Sequence, residues 1–376
     1  MSRGKHGHIE AICQSAGAAL VFGFSAMAFA AEQPWQSQAA LHTVPTNLPG
    51  VYAFTQPPAS FDPHRAADLE LVAWGYPARP AATDSPTKWA RWEQEVNLAE
   101  PRVVPELRRR SGSYHRPIES LSLDTIQAAA KATAVTASNW SGFALVPNSG
   151  AQPYALVEAA WTVPTVKQAP GTCSGGWDYS SQWVGLGGFS DSNLLQAGSA
   201  ANVFCDIGAN LTEYFPWIEW LPEAELIIYA DASTGQLLPF APGDYLIVAV
   251  TATNWSGGVS TSGTLSFRDV TQAWSVSLTF TASALGGSKV TGKSAEWIVE
   301  RTEVNGAFAT LPDYVTDPWW STNTRDLGSV FHYPGEPGNA TAYQITMLGD
   351  NGANESFVNL VGPNAMWFFP EGSATK

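Results

Sequence analysis

Residues 294–303 read SAEWIVERTE, and this stretch decides how the chain folds. β-branched and aromatic residues are typical of strands, and successive side chains of a strand point to opposite faces of the sheet. This alternation puts Glu296 and Glu300 on one face, whereas the other face is apolar and consists of Ala295, Trp297 and Val299. If the apolar face is core, both glutamates point away from it together. They then lie either on a solvated outer face or in a functional site.

The same strand-like composition extends over the whole chain from residue 138. Short runs of Val, Ile, Thr and aromatic residues are separated by Gly, Asn, Asp and Pro, which predicts many short strands in one all-β domain. Strands are expected at 143–146, 154–163, 181–186, 211–220, 224–229, 244–253, 263–269, 273–281, 294–304 and 342–347. So many strands in about 240 residues favour one large two-sheet antiparallel β-sandwich, of the concanavalin-like or jelly-roll type.

Residues 31–132 differ in composition and are rich in Pro, Ala, Arg and Gln. Helical periodicity predicts helices at 87–98, where Trp89, Trp92 and Val96 share a face, and at 121–133. Between them, residues 101–117 combine helix breakers with several arginines. We therefore expect a partly helical N-terminal extension over 31–132, followed by the β domain over 133–376.

Residues 1–30 have the features of an export signal. Arg3 and Lys5 precede an apolar run, and Ala28 and Ala30 have the spacing of a cleavage site. The apolar run is too short for a comfortable membrane span, and no later stretch approaches that length. We expect a protein secreted to the extracellular space or periplasm, not bound to a membrane.

The chain is acidic, with a formal net charge of −14 at pH 7. Acids and bases balance in the first 132 residues, so all of this charge belongs to the β domain. A strongly acidic domain cannot replace the counterions on phosphates, which argues against a nucleic-acid partner. In acid its carboxylates become neutral and few positive charges remain to repel one another, which favours tolerance of low pH.

Residue types in the β domain exclude several chemistries. His332 is the one histidine from residue 133 onward, and no Gly-x-Ser-x-Gly elbow is evident, so a Ser-His-Asp site is disfavoured. A catalytic zinc usually takes two or three imidazoles, and we expect neither metal nor cofactor. Cys173 and Cys205 can form one disulfide in an oxidising compartment, but they cannot form a zinc site. Carboxylates are left as the candidate catalytic groups.

Five segments in order resemble the glutamic peptidase family, the eqolisins. They are SNWSG at 138–142, WVGLGG at 183–188, LLQAG at 194–198, WIEWLPE at 217–223 and AEWIVE at 295–300. Each segment alone is weak evidence, whereas five in order over about 240 residues identify the chain as similar to this family. The resemblance implies an acid endopeptidase that acts on polypeptides, with a fold of two packed antiparallel sheets.

The resemblance also implies roles for individual residues. Gln196 corresponds to the catalytic glutamine and Glu300 to the catalytic glutamate, with Glu296 as the alternative glutamate. The implied substrate-binding residues are Trp140, Trp183, Glu219 and Trp220. Ionised Glu300 would remove a proton from a water held with Gln196, whose amide would then stabilise the oxyanion.

The sequence departs from the family at several positions near the site. Gly187 and Phe215 stand where fungal members carry acids, and Leu221 replaces a tyrosine. Arg301 and Thr302 replace an acidic residue and an aromatic residue. Subsite preference and pH optimum therefore do not follow from the resemblance.

Two other functions stay open on the residues alone. Exposed tryptophans on a β-sandwich can stack on sugars, and the candidates are Trp217, Trp220, Trp297, Trp319 and Trp320. A glycoside hydrolase would instead pair Glu296 with Glu300 or Glu219 across a cleft.

Residues 32–130 contain WGYP at 74–77 and WARW at 89–92, and through them this segment resembles the N-terminal extension of bacterial relatives. One hypothesis is an inhibitory prosegment whose Arg108–Arg110 cluster docks on the acidic β domain and is released in acid. The alternative is a permanently attached module. We expect a monomer in either case.

Overall fold

The computed structural model describes residues 40–83, 86–97, 100–119, 121–123, 132–169, 176–206 and 209–370. The expected export signal at 1–30 and Cys173 of the expected disulfide lie outside these residues. Within the described part of the chain, no helix has the length and apolar character needed to cross a membrane.

The extension contains short strands and two helices. In chain order these are β1 (Thr43–Pro45), β2 (Val51–Phe54), α1 (Asp68–Ala73), α2 (Pro86–Val96), β3 (Pro105–Arg109), β4 (Ser113–Tyr114) and β5 (Ser122–Leu123).

The remainder of the chain is almost entirely strands. The first group is β6 (Ala132–Ala137), β7 (Trp140–Pro147), β8 (Tyr154–Thr162), β9 (Val166–Lys167), β10 (Trp177–Asp178), β11 (Ser181–Gly187), β12 (Leu194–Asp206), β13 (Ala209–Trp220) and β14 (Leu226–Asp231). The second group is β15 (Tyr245–Thr253), β16 (Ser262–Asp269), β17 (Trp274–Thr281), the short helix α3 (Ala282–Leu285), β18 (Ala295–Glu300), β19 (Glu303–Val304), β20 (Ala307–Phe308) and β21 (Asp313–Tyr314). The last group is β22 (Asp317–Asp326), β23 (Phe331–His332), β24 (Ala340–Leu348), β25 (Asn354–Gly362) and β26 (Ala365–Pro370).

Most of these strands belong to one large, mainly antiparallel hydrogen-bonded series. Its order is β3-β14-β13-β12-β11-β18-β7-β24-β25-β26-β22-β8-β15-β16-β17-β2-β1. The pair formed by β6 and β24 is parallel. In addition, β19 pairs with both β20 and β4 in a small separate sheet.

The core forms because strands in distant parts of this series turn their apolar faces to one cluster. In β15 the even-numbered residues 246 to 252 are buried and the odd-numbered ones are half-buried, as a period of two requires. Ala295, Trp297 and Val299 of β18 join the same cluster, which confirms the face predicted for them. Burial of such apolar area is the main stabilising contribution to the fold.

Strands of the extension are part of the same series. β2 pairs with β17, and β3 pairs with β14. Val51, Ala53 and Leu107 are buried in the main core. The two helices of the extension share a smaller apolar cluster that contains Leu71, Trp92 and Val96.

All ten strands expected from the sequence coincide with observed strands, and helix α2 confirms the first predicted helix. The helix predicted at 121–133 is wrong at both ends, because Ser122–Leu123 and Ala132–Ala137 are strands that pair with each other. Pairing with neighbouring strands overrides the local helical pattern there. Residues 124–131 lie outside the described residues.

Candidate active site

One face of the sheet carries both predicted catalytic residues. In β11, Gly185 is the register partner of Gln196 on one side, and Ser181 is the partner of Glu300 on the other. Register partners share a face, and residues four apart in a strand share it too. Gln196 and Glu300 therefore project from the same face, with one strand between them. Glu219 in β13 is the register partner of Gln196 and lies on this face as well.

The carboxylate of Glu300 is fully buried and accepts three hydrogen bonds. The indole Nε1 of Trp183 donates to Oε2 at 2.7 Å. Nδ1 of His115 lies 2.8 Å from the same oxygen, and the backbone N–H of Arg116 donates to Oε1 at 3.0 Å. An ionised carboxylate only accepts, so a ring of donors suits its charged form.

The amide of Gln196 is also fully buried, and its orientation is fixed by Glu219. Its Nε2 donates to Oε2 of Glu219 at 2.6 Å, whereas its Oε1 has no hydrogen-bond partner among the protein atoms. Burial raises the pKa of Glu219 to about 8, against the opposing effect of nearby His115. Glu219 is therefore a neutral carboxylic acid at acidic pH.

Glu296 occupies the same face, and it is the register partner of Gly185 on the side opposite Gln196. Along the strands it is therefore level with Gln196, whereas Glu300 is four residues further on. Burial raises the pKa of Glu296 well above its ordinary value. A neutral carboxyl cannot act as a general base, which favours Glu300 for that role.

His115 is a site residue that the sequence does not indicate, because it lies in the irregular basic segment that precedes the β domain. Its ring stacks on Trp217, with centroids 4.1 Å apart and planes at 15°, and its Nε2 lies 3.0 Å from Oε2 of Glu225. Burial alone would lower the pKa of His115, but the charge of Glu300, the charge of Glu219 when it is ionised, and the hydrogen bonds to Glu225 and Glu300 outweigh burial and hold this pKa well above its ordinary value. His115 is thus a buried imidazolium between carboxylates.

Residues 113–119, which we call the strap, carry His115 over the site. The strap and the sheet together leave Gln196 and Glu300 with no exposed surface.

The Arg116 guanidinium forms a double hydrogen bond with Glu303, from Nε to Oε2 at 2.9 Å and from Nη2 to Oε1 at 2.5 Å. Just before the strap, Nη1 of Arg110 lies 2.9 Å from Oε2 of Glu213, and Nη1 of Arg109 lies 3.7 Å from Oε2 of Glu223. The basic segment 109–116 is therefore docked on acidic side chains around the site.

Of the tryptophans expected to bind substrate, two lie on the site face. Trp140 is the register partner of Glu300 in β7, and its ring meets that of Trp183 edge-on at 4.9 Å. Both are fully buried in this closed arrangement.

Trp220 requires a correction. It follows Glu219 in β13 and so points to the opposite face, where it is fully buried in the main core. Its ring packs edge-on against Phe280, with centroids 6.1 Å apart. In this structure it cannot contact a substrate on the Gln196 face.

The aromatic platform of a sugar-binding surface does not form from the tryptophans considered for it. Trp217, Trp220, Trp297 and Trp319 are fully buried, and Trp320 alone of the five is exposed. His332 contacts Asp326 and the carbonyl of Pro337, away from the site. Among the described residues, no three His, Cys, Asp or Glu side chains form a group that could hold a metal.

Comparison with family profiles identifies the family of the chain. The profile of the Peptidase A4 family matches residues 138–351, which is more than half of the chain. The chain belongs to this family, the glutamic peptidases or eqolisins, and is a glutamic endopeptidase.

Among solved structures, the chain is similar to aspergilloglutamic peptidase from Aspergillus niger. The identity is 21%, the match covers 51% of this chain and 99% of that chain, and the TM-score is 0.41. No curated protein matches the chain.

Proposed function

We propose that this chain is an exported, acid-active endopeptidase that hydrolyses polypeptides with a water activated by Gln196 and Glu300. The observation that carries the proposal is that the two side chains share one face of the sheet, with Gly185 and Ser181 of the intervening strand as their register partners.

Each polar atom has a role in this mechanism. Ionised Glu300 takes a proton from the water, which attacks the peptide carbonyl, and Glu300 then gives this proton to the leaving nitrogen. The amide nitrogen of Gln196 has two hydrogens, one held by Glu219 and one able to stabilise the oxyanion. Its unpaired Oε1 is suited to accept a hydrogen from the water. Such a donor stabilises the transition state by about 3 kcal/mol.

In the proposed fold, the two halves of the strand series are the two sheets of a sandwich. Strands β11, β12 and β18 from one half and β8 and β15 from the other contribute side chains to the same apolar cluster. This arrangement supports the expected two-sheet architecture, with the catalytic pair on the face of the first sheet that is turned away from the shared core.

We also propose that residues 1–30 direct export and that 31–132 act as an inhibitory prosegment. The strap supports inhibition, because its His115 contacts Glu300. The pairing of β2 and β3 with strands of the β domain fits the alternative of a permanently attached module. Incubation of the full chain at pH 4 and pH 7, followed by mass analysis and assay, separates the two. Unchanged mass and activity at both pH values would remove the prosegment proposal.

The catalytic proposal is tested by digestion of a denatured protein at pH 3 to 5. Wild type should cut it, whereas Gln196→Ala and Glu300→Ala should each lose at least about 100-fold in rate. Glu336→Gln is the matched control, because Glu336 is exposed, and it should behave as wild type. Full activity of either catalytic variant, in a chain that unfolds at the wild-type temperature, would refute the assignment.

A further inference from the structure

The strap crosses the site and is held through its backbone at both ends. At one end its strand β4 pairs antiparallel with β19, where Tyr114 is opposite Glu303. At the other end, the N–H of Ile118 donates to the carbonyl of Gly188 at 3.1 Å. Addition of an extended segment to a strand edge is a common way to bind a peptide without reading its side chains. The backbone contacts at the two ends of the strap are therefore ones that a substrate peptide of another sequence can also make.

The side chain of Asn139 holds the strap in one register. Its Nδ2 donates to the carbonyl of Pro117 at 3.1 Å, and its Oδ1 accepts from the N–H of Glu119 at 2.9 Å. These bonds bracket Ile118, so the strap cannot slide along the site by one residue without breaking them.

In this register the peptide bond between His115 and Arg116 lies against the catalytic carboxylate. The nitrogen of this bond belongs to Arg116 and is 3.0 Å from Oε1 of Glu300. In the proposed mechanism Glu300 protonates the leaving nitrogen, and the Arg116 nitrogen occupies that place. The imidazole of His115 contacts Oε2 of Glu300, the oxygen that would otherwise accept the proton of the attacking water. The strap thus resembles a substrate in register but blocks the water.

The residue after this bond meets a specific partner. The planar guanidinium of Arg116 is matched to the two oxygens of Glu303, whose side chain is 15% exposed. Paired parallel hydrogen bonds of this kind are stronger and more selective than a single contact, and they favour arginine over lysine.

We propose that Glu303 is a specificity-determining residue that selects a basic residue, arginine above lysine, immediately after the cleaved bond. The preferred substrates then carry arginine immediately after the cleaved bond, as the strap does with Arg116 after His115. This inference rests on the proposed catalytic role of Glu300, because that role identifies the bond between residues 115 and 116 as the counterpart of the cleaved one.

The test is a competition between two peptides in one tube at pH 5. They are identical except for one central residue, arginine in the first and glutamine in the second, and mass spectrometry identifies the bond that is cut. The ratio of their rates equals the ratio of their kcat/KM values and does not depend on how much of the enzyme has released its strap. This matters because a change at Glu303 also weakens the strap.

Wild type and the control Glu336→Gln should cut before the arginine about tenfold faster than before the glutamine. Glu303→Gln should bring the ratio close to one, and Glu303→Arg should favour a third peptide with glutamate at that position. A ratio near one for wild type, or an unchanged ratio in Glu303→Gln, would overturn the inference and leave the catalytic proposal intact. If wild type cuts no peptide, both proposals fail.

Discussion

Nδ1 of His115 lies 2.8 Å from Oε2 of Glu300, although 185 residues separate the two in the chain. The contact joins the only buried imidazole described in the extension to the carboxylate that the family resemblance makes catalytic. Since His115 also lies 3.0 Å from Glu225 and stacks on Trp217, it has polar partners on two sides and an aromatic face beneath it. The extension therefore reaches the site through a side chain that fits it in charge and shape.

Replacing His115 by alanine should open the site. The variant loses the stacking on Trp217 and the bonds to both carboxylates, so the strap should be displaced more easily. We expect the full chain to digest a denatured protein at pH 5 about tenfold faster than wild type during the first minutes of incubation. The control is His64→Ala, because His64 is an exposed histidine of the same extension. Equal initial rates for wild type and His115→Ala would show that the strap does not limit access.

How far the sequence predicts the site depends on the strand considered. The alternation of residues 295–300 predicted that Glu296 and Glu300 share a face, and the structure confirms it. The strand that carries Gln196 was not predicted, because residues 194–206 are rich in Ala, Gly, Ser and Asn, which have low strand propensity. This segment is a strand because β11 and β13 pair with it on both sides.

The structure differs from the expected site at Trp220 and at His115, and the two differences have distinct physical causes. Successive side chains of a strand point to opposite faces of the sheet, so Glu296 and Glu300 share a face whereas Trp220 and its neighbour Glu219 do not. The same rule therefore predicts that Trp220 points away from the site face. The contact of His115 with Glu300 could not be predicted in this way, since no local pattern connects a residue in an irregular basic segment with a strand so distant in sequence.

Gly185 should be intolerant of a side chain. A Cβ at this position would lie 2.8 Å from Cδ1 of Leu194, 2.9 Å from the Trp183 ring and 3.2 Å from Cβ of Gln196. Gly185→Ala should therefore push Gln196 and Trp183 out of position and lower kcat at least about tenfold. Gly150→Ala is the control for stability, because its Cβ would meet nothing within 4 Å, although its positive φ adds strain. Wild-type kcat in Gly185→Ala would mean that the catalytic pair has more freedom than the packing indicates.

Stability should be greater at pH 5 than at pH 8. Burial raises the pKa of Glu219 to about 8 and raises the pKa values of Glu296 and Asp317 well above ordinary ones. A carboxyl with a raised pKa binds more protons in the folded chain than in the unfolded chain, so stability is lost as the pH rises from its unfolded pKa through its folded pKa. The raised pKa of His115 acts in the same direction.

The free energy of unfolding of the wild type should fall by at least about 1.4 kcal/mol, the equivalent of one pKa unit, between these two pH values. Urea titrations at pH 5, 6.5 and 8 measure the change. Glu296→Gln removes one of the ionisable groups and should flatten the dependence. A midpoint that rises from pH 5 to pH 8 would contradict the assignment of neutral buried carboxyls.

Glu219 should act as a positioning residue in its neutral form. Its Oε2 accepts the hydrogen bond from Nε2 of Gln196 at 2.6 Å and so leaves the second amide hydrogen available to the oxyanion. Glu219→Gln keeps an uncharged acceptor of the same size and should retain kcat within about threefold of wild type, whereas Glu219→Ala should lower it about 30-fold with a smaller change in KM. A group needed as a charged carboxylate would respond differently, because the glutamine and alanine variants would then be equally impaired. The pH profile adds a readout that packing alone would not move: in wild type, kcat/KM should decline as Glu219 ionises toward pH 8, and this part of the decline should be absent in Glu219→Gln.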